Sequence, residues 1–220
     1  GRSGAALESY LQVRRMSEPC LLVLVWEGAD AGELRARRRR AEAVLRAAGG
    51  LSLPARVARG WEHGRFHGPY LREELLAHGV LAETLETATT WSNLVALHER
   101  VGAAITAACH EWGTAPIVQC HVSHVYPTGA SLYFTVVARE AADPLAQWRS
   151  VKDAACRAIV EVGGTITHHH AIGTDHRAYL DAEIGPLGSE LLAAIKHTLD
   201  PHGLLNPGKL VPEAQAAGAN

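Results

Sequence analysis

The chain has 220 residues, of which 47% are apolar and 20% are charged, and its formal net charge is −2. This composition is typical of a soluble globular protein and excludes a disordered chain. The longest apolar run, Cys20 to Trp26, is far shorter than the roughly 18 residues that cross a bilayer, and a charge so close to neutral gives no broad field for nucleic acid.

The first predicted elements form a β-α unit. Leu21–Trp26 is a continuous apolar run that predicts a buried strand, and Ala31–Ala48 is rich in helix formers and is followed by two glycines. Arg35–Arg40 contains five arginines, which are spread around most of the helix because a helix turns about 100° per residue. A solvated helix surface is the ordinary interpretation, and a patch for anionic lipid or phosphate is the alternative.

The rest of the chain predicts an antiparallel sheet covered by helices. An irregular stretch that includes Pro54 and Pro69 comes first, and a Pro-Thr-Gly turn between two β-branched runs later predicts a hairpin. The predicted elements are a helix at Leu71–Ala77, a strand within Leu81–Thr89, a helix opened by Trp91-Ser92-Asn93, strands at Ile117–Tyr126 and Ser131–Ala138, and helices at Pro144–Val162 and Leu187–Leu199. This order predicts one α+β domain over residues 1–220, with helices on one face of the sheet.

The cysteines indicate a reducing compartment. Cys20, Cys109, Cys120 and Cys156 are widely spaced and contain no Cys-x-x-Cys pair, which favours free, mostly buried thiols and a cytoplasmic location. Arginine makes up 18 of the 21 basic residues, a bias that suggests a GC-rich bacterial genome.

Three consecutive histidines are the most distinctive feature of the sequence. His168, His169 and His170 follow a short β-prone stretch and precede Gly173. On an extended segment, alternate side chains point to opposite faces, so at most two of these imidazoles would face one ligand unless the backbone turns. Imidazole suits proton transfer near neutral pH and also binds metals. Catalysis or cofactor contact, a metal site, and packed or surface histidines all stay open on the residues alone.

A second motif, Leu-Asp-Pro-His-Gly-Leu-Leu-Asn-Pro-Gly-Lys-Leu, runs from Leu199 to Leu210. It resembles the carboxy-terminal signature of FAD-linked oxidases of the vanillyl-alcohol-oxidase type. With the histidine triplet and the Tyr-x-x-Gly-Ala-x-x-Tyr-Phe pattern from Tyr126 to Phe134, the chain most closely resembles the alkylglycerone-phosphate (alkyldihydroxyacetonephosphate) synthases. The resemblance covers most of the chain, but only the non-flavin half of such an enzyme, and implies the ferredoxin-like cap domain of that family.

The resemblance implies roles for particular residues. In these synthases the triple-histidine motif lies beside the flavin ring and is needed for activity, which assigns catalysis to His168, His169 and His170. The tyrosine at the place of Tyr133 donates or accepts a proton, and the arginine at the place of Arg72 holds the substrate phosphate, a task that suits a guanidinium near a helix start. Asn206, in the Asn-Pro-Gly-Lys tail, is expected to contact FAD.

A metal site is the alternative that the sequence argues against. Related FAD-dependent 2-hydroxyacid dehydrogenases carry two histidines around the hairpin turn and a glutamate in the later motif. Here His124 matches the first histidine, but the second falls at Tyr133 and the glutamate at His169. We therefore expect no metal, although a rearranged site that uses His124 and the triplet stays open.

The implied function is the cap portion of a synthase that exchanges the acyl chain of acyl-dihydroxyacetone phosphate for a fatty alcohol in ether lipid synthesis. In that family FAD works through a covalent adduct at N5. The sequence has no glycine-rich dinucleotide fingerprint, so the expected partners are an N-terminal FAD-binding domain of the same protein and a lipid-like phosphorylated substrate. Nucleic acid is not expected, while a homodimer and peripheral membrane contact stay open. The alternatives are an FAD-linked oxidase of a 2-hydroxyacid, such as D-lactate or glycolate, and a non-catalytic binding module.

Overall fold

A computed structural model describes Tyr10, Arg14 and residues 20–211 of the chain. The chain divides into two compact units, one that ends at Gly68 and one that begins at Pro69. The predicted site residues all belong to the second unit.

Over residues 20–68, the first unit contains two helices, α1 (Ala31–Ala47) and α2 (Ala55–Gly64). Asp30 caps α1 by accepting a hydrogen bond from the backbone N–H of Gly32 at 2.6 Å. No residue of α1 is buried, and its arginines pair along the helix surface, Arg38 with Glu42 at 2.7 Å and Arg46 with Glu42 at 3.1 Å. The predicted helix and its solvated arginines are therefore confirmed.

Two predictions for this unit are wrong. Residues 21–26 form neither strand nor helix, and Leu21 and Val25 are more than half exposed. An apolar run becomes a strand only when a neighbouring strand pairs with its backbone, and the described residues provide no such pairing here. The stretch predicted to be irregular instead contains α2, which begins directly after Pro54, a proline placement that helices tolerate at their start.

Over the described residues up to 211, the second unit contains one sheet and four helices. Its elements are α3 (Gly68–Ala77, which begins at the unit boundary), β1 (Val80–Thr90), a single 3₁₀ turn (Trp91–Asn93), α4 (Leu94–Glu111), β2 (Ile117–Val125), β3 (Gly129–Arg139), α5 (Pro144–Glu161) and α6 (Gly173–Leu199). The predicted strand, hairpin and helices before and after the hairpin are confirmed within a few residues. Asn93 does not cap α4 with its side chain; it donates instead to the carbonyl of Val162 at 2.5 Å.

The three strands are antiparallel in the order β1-β3-β2, and α4 and α5 pack on one face. From Leu132 onward, alternate residues of β3 are buried, as expected for a strand with one covered face. The core combines apolar side chains of the strands with those of the two helices: Leu85, Leu132, Phe134, Val136, Leu97, Val101, Ile105, Val151, Ala155 and Ile159. The predicted α+β class, with helices on one face, is confirmed.

One end of the opposite face of the sheet, called the polar face below, carries a row of polar side chains. Glu86 on β1 is paired with Tyr133 on β3, and Tyr133 is paired with His121 on β2. Directly paired residues of antiparallel strands share a face, so these three side chains lie side by side opposite the core. No described helix of the core covers them.

A short segment runs along the free edge of β1. The backbone N–H of Thr165 donates to the carbonyl of Ala88 and that of His168 donates to the carbonyl of Glu86, each at 2.9 Å. In a ferredoxin-like β-α-β-β-α-β arrangement the fourth strand occupies this edge. The segment at 165–168 takes that position, which brings the histidine triplet to the polar face.

Helix α6 extends further towards the N-terminus than predicted. The expected helix at Leu187–Leu199 is the second half of α6. A kink at Gly185, with φ of 74°, separates the two halves and lies directly before Pro186. Glycine adopts this φ without strain, and proline is compatible with a new helical start. Within residues 20–211, no helix is apolar over a length that would span a membrane. All four cysteines are free, and Cys109 and Cys156 are buried.

Candidate functional site

The histidine triplet sits on a tight backbone turn. His169 has φ of 62° and Ala171 has φ of 63°, values in the left-handed region that are uncommon for residues other than glycine. The turn removes the alternation expected of an extended segment, so that the rings of His168 and His169 lie 4.1 Å apart between centroids. Strained backbone of this kind clusters at functional sites.

Glu183 on α6 holds the approach to this turn in place. Its carboxylate accepts a hydrogen bond from the backbone N–H of Ile166 at 2.7 Å and another from the hydroxyl of Thr165 at 2.6 Å. The hydroxyl of Thr87 on β1 donates to the carbonyl of Thr165, also at 2.6 Å. The triplet is thus fixed to both β1 and α6.

Glu86 lies at the centre of the site. Its side chain is only 3% exposed. The carboxylate oxygen Oε1 lies 3.2 Å from Nδ1 of His124 and 3.2 Å from Nδ1 of His168, and it accepts a hydrogen bond from the hydroxyl of Ser123 at 2.5 Å. The second oxygen, Oε2, lies 3.5 Å from Nε2 of His170. One buried carboxylate therefore contacts imidazoles from two separate parts of the chain.

The surroundings keep Glu86 ionised. Burial alone raises the pKa of this carboxyl, but hydrogen bonds from hydroxyl and imidazole groups outweigh that effect and lower its pKa from 4.5 to about 2; the groups are those of Ser123, Ser131, His168 and His124. An ionised carboxylate can only accept hydrogen bonds. Each Nδ1 atom beside it can therefore bond to Glu86 only in the tautomer in which that nitrogen carries a proton.

The histidines can also be considered as metal ligands. His124, His168 and His169 each offer one nitrogen, and these three atoms lie within 4.8 Å of one another. Such a group could hold zinc if the nitrogens moved to tetrahedral spacing, with Glu86 as the carboxylate that orients two of the rings. The expected absence of a metal stays a prediction.

Two tyrosines lie beside the histidines. The hydroxyl of Tyr126 is 3.1 Å from Nε2 of His168. The ring of Tyr133 meets that of His170 edge-on at 5.4 Å between centroids, and its hydroxyl has no hydrogen-bond partner among the described side chains. The structure thus brings the predicted Tyr133 next to the predicted triplet, and it also adds Tyr126.

The structure places Arg72 with a different group of residues. Its guanidinium lies 3.6 Å from the carboxylate of Glu73, and it lines a surface cavity together with Glu83 and Trp148. None of the contacts described above joins Arg72 to the histidines. Its predicted role in holding a phosphate remains a prediction.

The tail that contains Asn206 is held by charged side chains. The carboxylate of Asp200 accepts hydrogen bonds from the backbone N–H of Leu204 at 2.9 Å and of Leu205 at 2.8 Å, and it also pairs with Lys196. Asn206 has φ of 45° and is exposed. Its side chain is therefore accessible to another surface, and the contact to FAD stays a prediction.

Sequence reasoning missed Glu86, Ser123 and Ser131, and it did not foresee the contact of Tyr126 with His168. Glu86 stands between apolar and threonine residues of β1, and a charged residue in a strand is usually solvated. For Ser123 the sequence did offer one signal. Ser123 and His124 are consecutive polar residues near the end of a β-prone run, where β2 contains a bulge, and bulges are frequent near active sites.

Comparison with known proteins agrees with this architecture. The model of the family "FAD linked oxidases, C-terminal domain" matches residues 3–210. The alkyldihydroxyacetonephosphate synthase of Trypanosoma brucei brucei is 30% identical over 198 residues, which are 90% of this chain and 32% of the relative. A probable mitochondrial D-lactate dehydrogenase of Danio rerio is 37% identical over 73 residues, 33% of this chain and 15% of the relative.

A solved alkyldihydroxyacetonephosphate synthase structure has a similar fold, with a TM-score of 0.57 and 22% identity over 80% of this chain and 29% of that one. The chain spans about a third, or less, of the length of the relatives that it matches. The fold and the sequence match over nearly the whole chain lead to one conclusion: the chain belongs to the FAD-linked oxidase C-terminal domain family.

Proposed function

We propose that this chain is the substrate-binding and catalytic cap portion of an FAD-dependent enzyme of the alkyldihydroxyacetonephosphate synthase type. Such an enzyme exchanges the acyl chain of acyl-dihydroxyacetone phosphate for a fatty alcohol. The observation that most supports it is the convergence of the triplet, His168–His170, on the same polar face as Tyr133. The synthase relative matched over 90% of the chain supports the same reaction.

The polar face is open, so it can contact one side of a flavin ring but cannot enclose the ring. His124 is 44% exposed and His169 is exposed, so the imidazoles reach an open surface that a second domain can cover. In the proposed enzyme His168–His170 and Tyr133 would lie beside the ring, and Asn206 would contact FAD from the tail. FAD, when bound, supplies the electrophilic ring system that the exchange requires.

The residues of this chain would handle protons and charge. Tyr133 would accept or donate the proton of the substrate carbon, and the nearby imidazoles would lower the cost of the phenolate by favourable charge interaction. The same imidazoles, held against Glu86, would stabilise the departing carboxylate of the acyl chain. Arg72 would bind the phosphate through paired N–H donors.

The test is an activity assay on the complete FAD-containing polypeptide that carries this chain. Palmitoyl-dihydroxyacetone phosphate and labelled hexadecanol are supplied, and the labelled ether product and the flavin absorbance are followed. The proposal predicts labelled product in the original protein and little in Tyr133→Phe. Tyr179→Phe is the matched control, because Tyr179 bonds to Asp153 between α5 and α6, outside the site.

A second candidate is an FAD-linked oxidase of a 2-hydroxyacid, which the match to the probable D-lactate dehydrogenase of Danio rerio supports over a third of the chain. The same preparation distinguishes the two. Flavin bleaching with D-lactate or glycolate, without ether product, would favour the oxidase, because an oxidase passes electrons to the flavin whereas the exchange conserves the overall redox state.

A further inference from the structure

A chain of hydrogen bonds leads from the buried carboxylate to the exposed edge of the site. Glu86 Oε1 lies 3.2 Å from Nδ1 of His168, and Nε2 of His168 lies 3.1 Å from the hydroxyl of Tyr126. The side chain of Glu86 is 3% exposed, that of His168 is 16% exposed, and Tyr126 is 40% exposed. The three groups thus connect the interior of the domain with its surface.

The ionised carboxylate determines where the proton of His168 resides. Because Glu86 accepts only, Nδ1 of His168 must donate to it. In a neutral imidazole the other nitrogen, Nε2, is then an acceptor. The hydroxyl of Tyr126 can donate to this nitrogen, which lies at hydrogen-bond distance. Each donor in the series Tyr126–His168–Glu86 then faces an acceptor.

The backbone holds this arrangement independently of the side chains. The N–H of His168 donates to the carbonyl of Glu86 at 2.9 Å, so the two residues are joined twice. On the other side, Ser123 donates to Glu86 and is hydrogen-bonded to Ser131 at 2.6 Å. A carboxylate anchored in this way orients an imidazole in the manner of the aspartate of a catalytic triad.

We infer that Glu86 is a positioning residue that selects the tautomer of His168, and that Tyr126 is a second proton-transferring phenol of the site, in addition to Tyr133. The role of these residues in the exchange reaction rests on the proposed function. When the oxygen of Tyr126 takes the proton of an O–H or C–H bond of the substrate, the electron pair of that bond stays on the substrate, and the O–H proton of Tyr126 passes to Nε2 of His168. The imidazolium that results keeps its Nδ1 proton and is paired with the Glu86 carboxylate, which stabilises the positive charge gained by His168.

The tautomer can be measured on the 220-residue chain without a cofactor. Long-range ¹H–¹⁵N correlation spectra of histidine-labelled protein at about pH 8, above the ordinary imidazole pKa of about 6.5, distinguish the two tautomers, and His168→Gln assigns the signals. The inference predicts a proton on Nδ1 of His168 and a smaller fraction of this tautomer in Glu86→Gln. A proton on Nε2 in the original protein, or an unchanged tautomer in folded Glu86→Gln, would overturn it.

Glu83→Gln is the matched control for the Glu86 variant. Glu83 is also a largely buried carboxylate of β1, but it faces the helices and binds Lys152 at 3.3 Å and Trp148 at 2.5 Å. Its substitution should lower stability without moving the nitrogen shifts of His168. If the nitrogen chemical shifts of His168 moved equally in Glu83→Gln and Glu86→Gln, they would report a general loosening of β1. The inference would then fail.

The role of Tyr126 is tested on the complete FAD-containing protein. Removal of a proton-transferring group typically costs on the order of 10²-fold in rate, so Tyr126→Phe should lower kcat by about that factor with little change in KM, while Tyr179→Phe keeps full activity. An unchanged kcat in Tyr126→Phe would refute its role. If the protein makes no ether product but the tautomer of His168 is as predicted, the proposed function fails and the positioning role of Glu86 stands.

Discussion

Replacement of Glu86 by glutamine should make the protein less stable, and the loss should depend on pH. The side chain is 3% exposed, and its pKa falls from 4.5 to about 2 because hydrogen bonds outweigh the effect of burial. Each pKa unit corresponds to about 1.4 kcal/mol. The difference between the two values therefore gives about 3 kcal/mol of stability, which glutamine cannot supply because it has no charge.

The sign of the pH dependence follows from the lowered pKa. A carboxylate whose pKa is lower in the folded state stabilises the protein fully above its unfolded pKa, and it loses this contribution as the pH falls through the folded pKa. The difference in free energy of unfolding between the original protein and Glu86→Gln should thus be largest above pH 4.5 and should shrink towards pH 2. The groups that face Glu86 are Ser123, His124, Ser131, His168 and His170.

Urea unfolding followed by circular dichroism, at several pH values between about 2 and 7, measures this difference. Glu99→Gln on the exposed surface of α4 is the control and should change stability by less than about 0.5 kcal/mol. The reasoning is refuted if Glu86→Gln matches this control at neutral pH, or if its deficit is equally large at the lowest and highest pH.

Three further outcomes are expected. Gly129→Ala should destabilise the protein by more than about 1 kcal/mol, because its Cβ would lie 2.0 Å from the carbonyl oxygen of Thr89; Gly102→Ala, in open space on α4, should not, and equal melting temperatures would contradict this. Phe134→Ala, in the centre of the core, should cost about 3–5 kcal/mol by urea unfolding, and a loss below about 1 kcal/mol would contradict tight packing. Cys20 is exposed, whereas burial raises the pKa of the Cys120 thiol to about 12, so iodoacetamide should label Cys20 first at neutral pH, and preferential labelling of Cys120 by mass spectrometry would exclude the buried arrangement.

The local pattern of the sequence was sufficient to predict the helices and strands that bury one face in the core. Helix α4 has apolar residues at helical spacing, and α5 begins at Pro144 and ends before two glycines. The hairpin was predicted from two β-prone runs on either side of a turn. Its register is fixed, because a shift of the strand pairing by one residue would move every core side chain of β3 to the polar face. The same pattern failed at Leu21–Trp26, where the described residues provide no pairing strand.

The motifs also identified the family and the neighbourhood of the histidine triplet and Tyr133, since these residues are recognisable as a pattern in one dimension. They could not predict that the triplet turns at His169, since a φ of 62° is a property of the folded backbone. Nor could they separate the roles of the two tyrosines of one motif. That distinction depends on which hydroxyl reaches an imidazole.

Only the tertiary structure placed Glu86 at the centre of the site. Glu86 is 38 residues from His124 and 82 from His168 in sequence, and nothing local marks it as different from a solvated strand residue. Its burial and its hydrogen bonds arise when β1 pairs with β3 and the segment at 165–168 closes the edge of the sheet. A buried carboxylate is stable only where several donors converge on it, and such convergence is created by the fold and not by any single stretch of sequence.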